Sequence, residues 1–250
     1  MIDHEHKLIF IHISKCAGTS IENAFGLLKK KVNKADYKNL YGWCDKHQLF
    51  LHHATPQQLF DLGHLDEKTW DDYYTFIIIR DPWDRSYSDY VWMLKQVKGF
   101  GSFKQFINRE GVFQKRLTVK DKYYRGDHLN QQSDYLFLHN QKLHYNKVLK
   151  FENLKTELPD LEEELGLEKG FFSHQMKRSL KKFKHYSIFY NRNKKSLVDT
   201  FFADDIKNLP YSYKDHFRYS YLKNFFFLFY HFGIKNAIKK YLKSVTKMMI

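Results

Sequence analysis

Lys7-Leu-Ile-Phe-Ile-His-Ile-Ser14, running straight into Lys15-Cys-Ala-Gly-Thr-Ser20 and then Ile21-Glu-Asn-Ala-Phe25, is the stretch that decides how this chain folds. The first run is apolar at both odd and even positions, the pattern of a central parallel strand covered by helices on both faces. It predicts a strand over Lys7–Ile13 and a helix from Ser20 to Leu28. Between them lie small residues and a hydroxyl pair, which place backbone N–H groups around a phosphate at a helix start. The turn is not a Walker A loop, where the lysine directly precedes the Ser or Thr. Here Lys15 comes first and Gly18-Thr19-Ser20 follow. No obvious magnesium-binding acid ends a second strand, so a nucleotide kinase is disfavoured.

Further along, Thr75-Phe-Ile-Ile-Ile79 reads as another buried strand. It ends at Arg80-Asp81-Pro82, where Asp81 can cap a helix and Pro82 suits its first turn. That helix is expected to reach about Val97, with Gly99 and Gly101 stopping it. Lys29–Leu65 and Gly99–Gly126 have no clear period. Lys147–Phe151 reads as a short strand, and Leu154–Leu165 as an acidic amphipathic helix closed by Gly166. Ser196–Leu209 reads as one helix with Leu197, Phe201, Ile206 and Leu209 toward the core. Strands separated by helices predict an α/β fold with a mainly parallel sheet. The 250 residues suffice for one such domain. We assign it residues 1–213 and leave 214–250 as a basic-aromatic tail, expected to be helical.

The net charge of +14 favours an anionic partner: a nucleotide, an acidic glycan, nucleic acid or a membrane surface. Aromatic residues make up 18%, enough both to pack a core and to line a sugar or adenine site. Cys16 and Cys44 form no disulfide framework and no metal-ligand spacing, so no metal is expected. The polar start predicts no secretory signal, and no apolar stretch is long enough to span a bilayer. The default compartment is the reducing cytoplasm. In the tail, Phe225-Phe-Phe-Leu-Phe-Tyr-His-Phe232 is followed by Lys235, Lys239, Lys240, Lys243 and Lys247. It reads as an amphipathic element on the inner face of an anionic membrane, or as a helix packed on the domain or a partner.

The segment IFIHISKCAGTSIENAF resembles the 5′-phosphosulfate loop of sulfotransferases that use 3′-phosphoadenosine 5′-phosphosulfate (PAPS), above all the carbohydrate branch with its HIPKTAGTS loop. Within that branch the segment resembles the heparan sulfate 2-O/6-O type, in a bacterial-type branch. FIIIRDPWDRSYSDY is similar to the family's 3′-phosphate motif, in which an Arg at a strand end and a Ser eight positions on hold the phosphate; these are Arg80 and Ser88. Gln132-Ser-Asp-Tyr-Leu136, Lys150-Phe-Glu-Asn-Leu154 and Pro210-Tyr-Ser-Tyr213 resemble the family's QTDYL, RFENL and GYSF segments. Two positions depart from the pattern: Ser14 stands for Pro, which loosens a preset backbone angle, and Cys16 stands for Thr, which removes a hydroxyl.

The resemblance implies a P-loop-like three-layer fold with PAPS as donor co-substrate, and a carbohydrate or glycolipid acceptor, a polyanionic one included. No nucleic-acid partner is expected. Lys15 would stabilise the leaving 5′-phosphate, with Cys16, Ala17, Gly18, Thr19 and Ser20 cradling it. Arg80 and Ser88 would take the 3′-phosphate, although Arg80 can instead pair with Asp81 or Asp84. Leu51-His-His-Ala-Thr55 is similar to the family stretch that carries the general base, which aligns with His53; His52 is the fallback. His12 reads as a satisfied core residue. Glu22 is a weaker base candidate, by likeness to heparan N-sulfotransferase-like enzymes. Gln132 would orient an acceptor hydroxyl. The basic-aromatic residues Arg178, Lys182, Lys184 and Tyr186 either close over the nucleotide or form a solvated run. A non-catalytic module for anionic glycans is the reading left beside the enzyme and the kinase.

Overall fold

Leu8, Ile9, Phe10 and Ile11 are all buried, as a strand covered on both faces requires. In a computed structural model, which describes residues 1–97, 99–172 and 185–215, they form the second strand of a four-stranded sheet. The strands are β1 (Ile2–Asp3), β2 (Leu8–Ile11), β3 (Tyr74–Ile79) and β4 (Lys147–Lys150), in that spatial order. β1 is antiparallel to β2, while β2, β3 and β4 run parallel. Val148 is exposed, as suits the edge strand β4. The tail 214–250 and the residues Arg178, Lys182 and Lys184 fall outside the described residues, apart from Lys214 and Asp215. Among the described residues, no helix is long and apolar enough to cross a membrane.

The register positions the site. Ile11 pairs with Ile77 in the parallel β2–β3 ladder, and Ile79 with Lys150 in the β3–β4 ladder. The carboxyl ends of three strands therefore open onto one edge of the sheet. That edge is where open α/β sheets bind ligands. The loop after β2 leads into α1 (Gly18–Ala24), and β3 leads through Arg80 into α2 (Pro82–Gln96). Asp81 caps α2 as expected, accepting from the N–H groups of Trp83 (2.9 Å) and Asp84 (3.1 Å). Helix α1 is shorter than expected. It stops at Phe25 because Gly26 takes a left-handed conformation (φ 74°), and a 3-10 turn follows at Leu27–Lys29.

Other differences have local causes. Ser102 and Gln105 make a reciprocal capping box that starts a helix at Phe103–Ile107, inside a stretch without clear period. Thr55 and Gln58 do the same for Pro56–Asp61. Helix α3 (Leu154–Glu164) matches its prediction to within a residue. The single helix expected at Ser196–Leu209 is two: α4 (Arg192–Phe201), capped by Asn191, and α5 (Ala203–Asn208). They break at Phe202, which is buried.

Among the described residues, most buried apolar side chains fall in two clusters, with a small third one at Trp43, Phe50 and Tyr124. One surrounds the sheet, where Phe10 stacks on Phe76 at 4.8 Å. The second is aromatic and joins α2 to the helices beyond it through Tyr87, Tyr90, Phe103, Phe106, Phe189 and Tyr190. Much of the high aromatic content therefore fills a second core. Full burial of each such side chain is worth about 1.5–3 kcal/mol.

Candidate active site

The loop after β2 is held in an uncommon backbone shape. Lys15 and Ala17 both have positive φ, 68° and 67°, without being glycine. Such conformations persist only where the surroundings over-determine them, and they concentrate at functional sites. Arg85, 2% exposed, supplies part of that determination. Its Nε donates to the Ser14 carbonyl (3.2 Å), and its Nη2 to the carbonyls of His128 and Asn130 (both 2.9 Å). Ser14, in place of Pro, adds its hydroxyl as a partner of Arg85 Nη2 at 3.4 Å. Hydrogen bonds thus replace the ring that would fix the angle. The sequence reading missed Arg85, although it sits in the same RDPWDR segment as Arg80.

Among the described residues, the N–H groups of Ala17, Gly18 and Thr19 meet no acceptor in the protein. They remain available to an anion. The Cys16 N–H does not, since it closes a turn onto the Ile13 carbonyl at 3.2 Å. The Cys16 thiol is buried, pushed up to about 12 by that burial, and lies 3.7 Å from Gln132 Oε1. Cys16 therefore shapes the loop from behind. Gly18 is required sterically: a Cβ there would stand 1.9 Å from Cδ2 of His12. The Lys15 ammonium lies 5.1 Å from the centroid of the Trp92 ring. Burial lowers its pKa, and Asp89 acts in the opposite sense.

Arg80, 3% exposed, meets this loop directly. Its Nη1 donates to the Lys15 carbonyl oxygen. Nε and Nη2 fork onto Asp84 Oδ2 at 3.0 and 2.8 Å, so the ion pair weighed from the sequence exists, with Asp84 rather than Asp81. Phe151 carries the guanidinium on its ring at 3.8 Å. Glu152 accepts from the Asp81 N–H (2.9 Å) and from Tyr211 Oη (2.8 Å). The segments at 150–154 and 210–213 thus close around the start of α2. Ser88 lies on α2 one turn beyond Asp84 and is half-buried.

Gln132 has no exposed surface. Its Oε1 accepts from the Arg80 N–H at 2.9 Å, and its Nε2 donates to the Arg80 carbonyl at 2.8 Å. With both ends of its amide given to this backbone, it positions Arg80; contact with an acceptor hydroxyl does not fit its placement.

Four imidazoles gather beside the loop. His53 Nδ1 lies 2.5 Å from Asp127 Oδ2, His128 Nδ1 2.8 Å from Asp89 Oδ1, and His12 Nδ1 2.8 Å from Glu22 Oε1. A carboxylate only accepts, so each Nδ1 donates; a neutral ring then has its lone pair on Nε2. His52 is the opposite case. Its Nδ1 accepts from the Gly42 N–H at 3.1 Å, which occupies its lone pair and leaves it nothing with which to take a proton. The two adjacent histidines thus differ: His52 spends its Nδ1 lone pair on the backbone, whereas His53 gives its Nδ1 to a carboxylate. Glu22 is buried against His12, and His12 is the satisfied inner residue expected of it.

The rings of His53 and His12 meet edge to face at 4.6 Å, and those of His53 and His128 at 5.4 Å. His128 also stacks on Trp92 at 4.8 Å. Burial lowers the pKa of His53, and Asp127 opposes that shift. Burial alone would raise the Asp127 carboxyl, but His53, His128 and Arg125 hold it down at about 2. One donor atom each from His53, Asp127 and His128 lie within 4.8 Å of one another, a set able to hold a metal ion. The sequence reading missed Asp127 and His128, because nothing in Gly126-Asp-His-Leu129 has a spacing that announces a site, and it passed over Asp89 on α2.

An anion loop, a buried arginine against it and a carboxylate-backed imidazole at the carboxyl edge of a parallel sheet define a transferase that handles anionic groups. The family model described as the Sulfotransferase family matches residues 1–219, and the chain belongs to that family. Its chemistry is therefore the transfer of a sulfuryl group. Comparisons with curated proteins and with solved structures gave no match.

Proposed function

We propose that the protein moves a sulfuryl group from PAPS to a hydroxyl of a glycan or glycolipid by in-line displacement, with His53 as general base. The observation that supports this reading is the contact of Arg80 with the Lys15 backbone, which brings the two motifs together at one edge of the sheet. The 5′-phosphosulfate lies against the N–H groups of Ala17, Gly18 and Thr19, with the Lys15 ammonium beside it. The 3′-phosphate lies toward Arg80 and Ser88. His53 Nε2 removes the proton of the attacking hydroxyl, while Asp127 holds the ring by Nδ1 and stabilises the imidazolium that forms. The acceptor oxygen bonds to sulfur as the sulfur–oxygen bond to the 5′-phosphate breaks. Charge grows on that phosphate and is met by Lys15 and the loop amides. The leaving product is 3′,5′-adenosine bisphosphate.

The same reading places the enzyme in the cytoplasm, with the lysine-rich tail at the inner membrane face where a glycolipid acceptor would be met. A thermal-shift series tests the nucleotide part. Stabilisation by 3′,5′-adenosine bisphosphate without magnesium is expected. Stabilisation only by ATP with magnesium, or by heparin alone, would overturn it. Binding of the full chain to anionic liposomes at low salt tests the tail, and indifference to them removes that part.

A further inference from the structure

Among the described residues, three buried side-chain nitrogen or oxygen atoms have no hydrogen-bond partner, and two of them are Asp127 Oδ1 and Asp89 Oδ2. Both carboxylates belong to the imidazole cluster, and they are 8% and 2% exposed. A buried carboxylate oxygen with nothing to accept from is costly, and a cation is the occupant that relieves it. His53 and His128 stand beside Asp127 as nitrogen ligands.

We propose that His53, Asp127 and His128 form a site for one transition-metal dication of the zinc class. The ligand set of two imidazoles and a carboxylate is one that zinc takes, with a fourth position open. Ligand atoms on a tetrahedral zinc lie about 3.3 Å apart, given bonds of about 2.0–2.2 Å. The three donors are already within 4.8 Å, so side-chain rotations of modest size close the site. The outer partners are in place as well. Asp89 holds His128 Nδ1 at 2.8 Å, the carboxylate–histidine arrangement that fixes the tautomer and aim of a metal-bound imidazole. Trp92 packs flat on the same ring at 4.8 Å and limits its rotation.

The ion sits on the Asp127 side of His53, where it displaces the Nδ1 hydrogen; the ring's remaining proton is then on Nε2, and His53 has no lone pair with which to act as a base. On the sulfuryl-transfer reading, on which this consequence rests, the metal is therefore a reversible inhibitor and the metal-free protein is the active form.

The full chain, stripped with a chelator, is titrated with zinc chloride by calorimetry and by thermal melting. The expected result is one saturable site and a raised melting temperature, with affinity falling on the order of tenfold or more in His128→Gln and in Asp127→Asn. Melting of each variant in chelator shows whether it folds. If one does not, zinc-edge X-ray absorption on the wild type decides, where nitrogen and oxygen ligands including two imidazoles are expected. Wild-type binding that is absent, unchanged affinity in a folded His128→Gln, or sulfur in the coordination shell would each overturn the proposal. Loss of transfer activity over the same zinc range is expected. A chelated protein that transfers no sulfuryl group would sink the functional reading and leave the zinc result standing.

Discussion

Arg80 Nη1 donates to the carbonyl oxygen of Lys15, across 65 residues of sequence. One buried guanidinium thus joins the two motifs that would hold the two ends of a nucleotide. Its other nitrogens fork onto Asp84, so an arriving phosphate meets a cation already aimed and held by Phe151. Removing Arg80 should weaken 3′,5′-adenosine bisphosphate about 10- to 100-fold, the effect of losing a charged hydrogen bond of about 1.5–3 kcal/mol. Adenosine 5′-phosphosulfate, which lacks the 3′-phosphate, should lose only a few-fold. Arg80→Lys should not restore binding, because a lysine cannot make the fork. Calorimetry with both ligands on Arg80→Ala checks this, and equal losses would contradict a 3′-phosphate role.

Gly18 touches the imidazole cluster through its missing side chain. A methyl group there would overlap the His12 ring at 1.9 Å, and His12 bears on His53. Gly18→Ala should lower stability by about 1–3 kcal/mol, the usual effect of overpacking. It should also weaken nucleotide binding, which thermal melts with and without 3′,5′-adenosine bisphosphate will report. A melting temperature equal to wild type in both conditions would show that the ring moves freely.

The two adjacent histidines should separate cleanly. His53→Ala should reduce kcat by about 10²–10⁴, the range for losing a general base, with 3′,5′-adenosine bisphosphate affinity within a few-fold of wild type. His52→Ala removes an acceptor from the Gly42 N–H and should lower stability with a much smaller effect on kcat in the folded fraction. The reverse pattern of kcat losses would move the base to His52.

The sequence made much of this legible and some of it not. Apolar runs of both parities announced β2 and β3, and Asp81-Pro82 announced α2, because burial and capping are local demands. The turn after β2 and the place of Arg80 at the end of β3 were visible for the same reason. The partners of His53 were not. Asp127 reaches it from 74 residues away, a long-range pairing with no local pattern. The inward placement of Gln132 and Arg85 was not legible, because polar residues carry no mark of burial until the chain closes over them. His52 and His53 are alike in sequence and differ only in which atom approaches Nδ1.

Asp81 gives a stability signature in pH. Burial raises its carboxyl to about 6 from 3.8, despite the N–H groups it caps. Between those values the folded protein holds a proton that the unfolded chain has lost. Raising pH through that window therefore reduces the group's contribution to stability, by up to about 3 kcal/mol at 1.36 kcal/mol per unit. Asparagine caps a helix as well as aspartate does. Asp81→Asn should thus become more stable relative to wild type as pH rises from about 4 to 6, and keep that advantage at pH 7. Chemical denaturation at several pH values checks it, and a difference that does not change with pH would contradict the assignment.

The most direct test is a crystal of the protein grown with 3′,5′-adenosine bisphosphate. The 5′-phosphate is expected on the N–H groups of Ala17, Gly18 and Thr19 beside Lys15, and the 3′-phosphate within hydrogen-bond distance of Arg80 and Ser88. A nucleotide bound with either phosphate elsewhere, or with Arg80 still wholly occupied by Asp84 and Lys15, would contradict it.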